Sequence, residues 1–170
     1  MNIMHKKRDE KKIFALLLCA AALSVAAMIA ALSLTGGNDA EFVPPPFESE
    51  AVVGMPNVPD GLGYSELWQE GMTYRFYVCG NVVMDGADAV VYFTNPSVND
   101  AWLKLRVLDK NGKILGETGL IKPGEYVENV TLCRDLEEGT AIVLKIMGYE
   151  PETYHSVGAV SLKTSISKKS

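Results

Sequence analysis

The densest run of side chains able to do chemistry in this 170-residue chain is Tyr149-Glu150-Pro151-Glu152-Thr153-Tyr154-His155. Two carboxylates either side of a proline, next to an imidazole, are the residue types of general acid–base work. The rest of a catalytic set is missing from the sequence. His155 is one of only two histidines, the other being His5. A Ser-His-Asp triad, an HExxH zinc helix or a His-rich metal centre each needs more partners than that. There is no nucleophile elbow, phosphate loop or dinucleotide fingerprint. Asp85-Gly86-Ala87-Asp88 and Asp109-Lys110-Asn111 place carboxylates on turns without the ligand density of a calcium loop, and turn propensity accounts for them. No catalytic residue, cofactor or metal ligand is assigned, and the chain reads as a non-enzyme. Tyr149, Glu150, Glu152, Tyr154 and His155 remain as a binding loop, since rigid tyrosines among polar residues suit contact surfaces. The competing reading packs the tyrosines over the end of a core, with a hydroxyl on the backbone as in a tyrosine corner.

Cys79 and Cys133 are the cysteines beyond the N-terminal apolar run. Cys79 shares its parity with Arg75 and Tyr77, and Cys133 shares its parity with Asn129 and Thr131. Both are thus expected on outward faces, where they cannot bridge two packed sheets. Asn129-Val130-Thr131 is a glycosylation sequon only in a eukaryotic secretory pathway, which nothing else in the sequence suggests.

The elements that must carry these residues are strands. Thr73–Val78 alternates, and Ala87–Thr94 is apolar on both parities, as a central strand would be. Trp102–Asp109 alternates most cleanly, with Leu103, Leu105 and Val107 inward and Lys104 and Arg106 outward. Asp109-Lys110-Asn111-Gly112 is a hairpin turn into Lys113–Gly119. Lys122-Pro123-Gly124 and Glu137-Glu138-Gly139 punctuate the following strands, Tyr126–Leu132 and residues 142–147. The charged Glu128 on the apolar face of Tyr126–Leu132 suggests a bulge or an edge there. Val157–Ile166 closes the series, with Val160, Leu162 and Ile166 inward. Upstream, Ser65–Glu70 is read as a short capped helix, with Trp68 as a lid on the core. Seven short strands at 8–15-residue spacing predict an all-β, seven-stranded Greek-key sandwich of immunoglobulin or fibronectin type, with a small barrel as the alternative.

Residues 13–35 are 23 consecutive residues with no charge, proline or glycine. As a helix they reach roughly 35 Å, enough to cross a bilayer core. That length favours a retained transmembrane anchor over a cleaved signal, although Ala26–Ala31 offers cleavage-like sites. Cys19 follows Leu18 too early in the run for a lipoprotein. Five basic residues lie in 1–12, so the N-terminus is expected in the cytoplasm and the remainder outside the cell membrane. Five of sixteen Lys/Arg and two of twenty-one Asp/Glu precede residue 13, which leaves residues 36–170 with eleven against nineteen, a net −8. An acidic surface argues against nucleic acid as a partner. The expected layout is a basic arm (1–12), a transmembrane helix (13–35), a Pro-rich stalk (36–57), a β-sandwich ectodomain (58–166) and a tail (167–170).

TNPSVNDAWLKLRVLD, GKILGETGLIKPGEYVENV and KIMGYEPETYHSVGAVSL resemble uncharacterised small membrane-anchored Ig-like proteins of Gram-positive bacteria, a family placed with surface and pilus-type assembly proteins. The resemblance runs over roughly 74–166 and transfers no catalytic residue. It implies a single-pass, extracytoplasmic module for binding or assembly at the cell surface. Its partners would be the bilayer, through the N-terminal helix, and another protein. An extracytoplasmic ligand-sensing or enzyme-accessory module is the alternative.

Overall fold

The computed structural model describes residues 42–167. The expected arm, transmembrane helix and first part of the stalk lie outside them. Among the described residues no helix is long and apolar enough to cross a membrane.

Among the described residues ten strands form, in chain order β1 (Val52–Val53), β2 (Tyr64–Leu67), β3 (Phe76–Cys79), β4 (Val82–Asp85), β5 (Asp88–Asn95), β6 (Trp102–Asp109), β7 (Ile114–Glu117), β8 (Glu125–Thr131), β9 (Ala141–Tyr149) and β10 (Ser156–Ser167). They join in one curled, mixed sheet, ordered β1-β8-β5-β4-β10-β9-β6-β7, with β2 on β3 and β3 on β5. Every ladder is antiparallel except β4–β10, where Ile166 and Ser167 run parallel to Val82 and Val83. That link turns the sheet back on itself, so β2, β3, β4, β5, β8 and β1 make one half and β10, β9, β6 and β7 the other. Inward side chains from both halves, among them Phe76, Phe93, Leu103, Leu105, Leu144 and Ile146, form a single core.

β6 has the boundaries its alternation demands, and the Asp109–Gly112 turn closes as expected. The Asp109 carboxylate accepts from the Asn111 and Lys113 amides at 2.8 and 2.9 Å, and Gly112 takes φ 83°. Seven of the ten strands coincide with the seven expected; β1, β2 and β4 are additional.

Several expectations are corrected. Ser65–Glu70 is not helical, because Tyr64–Leu67 pairs antiparallel with Cys79–Phe76. Trp68 is about half exposed, with the Arg75 guanidinium 5.6 Å from its ring centre, rather than a lid. Cys79 keeps its outward parity yet is fully buried, since β2 lays Tyr64 opposite it and Tyr64 stacks on Tyr77 at 5.5 Å. Cys133 is exposed, and both thiols are free. Lys104 points outward but is only 5% accessible, because its ammonium folds onto Glu117 at 2.8 Å. The irregularity expected in Tyr126–Leu132 sits on its partner. β5 inserts an extra residue between Val90 and Phe93, and Tyr92 takes φ 44°.

The second half of the expected stalk runs along the domain. Leu120 N donates to the Pro46 carbonyl and Glu48 N to the Leu120 carbonyl, both at 2.9 Å. Glu48 then accepts from the Gly119 amide at 2.7 Å. Val52 and Val53 pair with Tyr126 and Glu125. Residues 46–54 thus form a strap touching the open edge of each half-sheet.

Candidate functional site

The β9–β10 connection carries every residue expected in the binding loop. Two backbone bonds close it, Glu150 N to the His155 carbonyl at 2.8 Å and Tyr154 N to the Glu150 carbonyl at 3.0 Å. Glu152 and Tyr154 adopt left-handed φ values of 65° and 57°. Such conformations are costly for non-glycine residues and persist where the surroundings impose them. The loop separates its two kinds of side chain. Tyr154 packs edge-on against Trp102 with centroids 5.3 Å apart, and Phe47 from the strap also meets the Trp102 ring edge-on at 4.8 Å. Lys122 sits 4.6 Å from the Phe47 ring centre, so a cation ends this aromatic row. Tyr149 lies opposite Trp102 across the β6–β9 ladder, and its hydroxyl reaches the Met147 sulfur at 3.8 Å. The Tyr149 hydroxyl thus turns to a sulfur and not to the backbone. The buried tyrosine is Tyr74, whose hydroxyl lies 3.2 Å from the Ile146 and Gly158 carbonyls.

The polar side chains face water. Glu150 accepts from the Thr153 hydroxyl at 2.7 Å, and the His155 Nδ1 stands 3.8 Å from the same carboxylate oxygen. The imidazole is 82% exposed, so this is a solvated neighbour pair. Glu150, Pro151 and Glu152 line an open cleft of about 490 Å³ together with Thr73, Asp100 and Val157. Among the described residues no group of three or more His, Cys, Asp or Glu is placed to hold a metal ion.

Sequence reasoning missed what supports this end of the molecule. Asn95 and Asn99 are buried and joined at 2.7 Å. Asn95 also donates to the Ala101 and Ile121 carbonyls, while Asn99 exchanges bonds with the Arg75 backbone. Asn95-Pro96 has the composition of a turn, so the sequence signal for a buried amide network was absent.

No family model matches the chain, and no curated protein matches it. Among solved structures it is similar to a β-glucuronidase from Ruminococcus gnavus. The forms with uronic isofagomine and without ligand each match at 21% identity and a TM-score of 0.36, covering 54% of this chain and 15% of the enzyme chain. The form with D-glucuronic acid matches at the same level. The chain therefore spans about a seventh of that enzyme's length. So loose an overlap carries neither fold nor chemistry across.

Proposed function

We propose that this is a membrane-anchored, extracytoplasmic, non-enzymatic β-sandwich module of immunoglobulin or fibronectin type. It binds a protein partner at the bacterial cell surface through the β9–β10 loop. The sandwich reading rests on strand order. β3 and β4 share one edge of β5, which pairs with β8, while β10, β9, β6 and β7 run opposite. The parallel β4–β10 contact joins the two halves. The anchored topology rests on the 23-residue apolar run and its basic flank.

The observation that carries the binding role is the loop's division of labour. Two backbone bonds and the Tyr154–Trp102 contact fix the loop, so Glu150, Glu152 and His155 are presented outward on a rigid support. Rigid presentation lowers the ordering cost of association. Carboxylates and an imidazole standing in solvent suit contact rather than proton transfer.

A photo-crosslinking residue at position 152 should give a discrete adduct on intact cells. The same residue at position 138, in the turn at the opposite end of β9, should not. Equal yields from both positions, or none from 152, would remove the loop as the binding surface.

A further inference from the structure

The β5 bulge poses a question that packing alone does not answer. Tyr92 occupies the left-handed conformation of a bulge residue, the position that glycine takes without strain. The chain keeps a large aromatic side chain at that cost. Tyr92 is also not a core residue: the buried residues of β5 around it are Val91 and Phe93, while Tyr92 stays partly accessible. Something other than the hydrophobic core must account for the ring.

Tyr92 lines an open cleft of about 440 Å³ on the outer face of β4 and β5, within the size range of small-ligand sites. Val83 and Val90, directly paired across the β4–β5 ladder, line it too, with Asp85 from the end of β4. The opposite wall is the segment carrying Asp60 and Gly61. That wall is held in place, because Asn81 donates its side-chain amide to the Gly61 carbonyl at 2.8 Å and its backbone N–H to the Leu62 carbonyl at 3.0 Å. The cleft is therefore preformed. It combines an aromatic ring, a small apolar floor and carboxylate and amide oxygens at the rim.

We infer that this cleft is a binding site for an uncharged oligosaccharide, with Tyr92 as its stacking platform. The apolar faces of a pyranose ring stack on an aromatic ring, and its hydroxyls donate to carboxylate and amide oxygens. Asp60 and Asp85 at the cleft, with Glu128 near Tyr92, disfavour acidic sugars. The site lies at the β4–β10 junction, where Ser167 at the far end of β10 from the β9–β10 loop lines it, so it stands or falls independently of the function proposed above.

The test uses the full chain in non-ionic detergent with maltohexaose, cellohexaose and N-acetylchitohexaose as probes, followed by calorimetry. Polygalacturonate is the acidic comparison. At least one neutral probe should bind, and more tightly than polygalacturonate. Tyr92→Phe should keep that binding, whereas Tyr92→Gly should weaken it by roughly tenfold or more. Because glycine relieves the backbone, Tyr92→Gly should melt at the same temperature as the parent or higher. No binding by any neutral probe, tighter binding of the polyuronate, or binding unchanged in Tyr92→Gly would overturn the inference. A clear fall in the melting temperature of Tyr92→Gly would also overturn it, because the ring would then be serving the fold.

Discussion

Cys79 and Cys133 share an outward parity but differ in surroundings, and their reactivity should follow the surroundings. Burial pushes the Cys79 thiol from 9.0 up to about 11, and the thiolate is the reactive form. Cys133 is exposed. In the folded protein at neutral pH an alkylating reagent should modify Cys133 quickly and Cys79 only on unfolding. Equal rates would mean that β2 does not cover β3. Burial raises Tyr74 too, to about 12. Both groups hold their protons more tightly when folded. Their contribution is complete below the ordinary values and falls away as pH rises from about 9 to 11 for Cys79 and from about 10 to 12 for Tyr74. The pair Leu105 and Lys104 tests β6 in the same way. Leu105 is fully buried, so Leu105→Ala should cost about 2–5 kcal/mol in a urea melt. Lys104→Ala should cost about 1 kcal/mol, more than an exposed lysine would, because Lys104 and Arg106 share Glu117. Burial pushes the Glu117 carboxyl up, but the hydrogen bonds and charges of Lys104 and Arg106 more than reverse this, leaving it depressed. A depressed carboxyl contributes stability above its unfolded value of about 4.3 and loses it as pH falls through the folded one. The Lys104→Ala penalty should therefore shrink in acid. A penalty as large as that of Leu105→Ala, or one unchanged in acid, would contradict the Glu117 pairing.

The strap is the element whose removal should be separable from the rest. Gly119 packs so closely beneath it that an added Cβ would lie 2.6 Å from the Glu48 nitrogen and 2.7 Å from the Phe47 carbonyl carbon. Gly119→Ala should therefore lift residues 46–54 and leave the core strands in place. Hydrogen exchange should speed up by roughly tenfold or more at Glu48 and Leu120, while amides in β6 and β9 stay protected. Uniform acceleration would mean that the strap is part of one cooperative unit with the core. The strap also shows where sequence reading stopped. Its prolines and glutamates have spacer composition, and the residues that fix it lie some seventy positions away. β6 was legible because strict alternation over eight residues specifies both the strand and its facing. β2 was not, since a serine before Glu-Leu-Trp imitates a helix cap and only its pairing with β3 decides otherwise. The β5 bulge escaped because a period-two pattern cannot register one extra residue. The loop residues 149–155 were legible as a polar, tyrosine-flanked connection. Which tyrosine meets Trp102 depended on the β6–β9 register, which no local pattern encodes.

At the scale of the whole molecule, the chain from Pro44 onward is a compact β unit, and the 23-residue apolar run before it is proposed to anchor that unit outside a membrane. Residues 36–45 lie in sequence between the apolar run and Pro46, whose carbonyl accepts from Leu120 N at 2.9 Å. Cys133 gives a direct measurement of this arrangement, since its thiol is exposed on the domain. Intact protoplasts are treated with a membrane-impermeant maleimide, and the membranes are then separated from the medium. The account predicts labelling at Cys133 before lysis, on a chain of full length that stays in the membrane fraction. Labelling that appears only after lysis, or on a shortened chain released to the medium with its first residue between about 27 and 38, would contradict it.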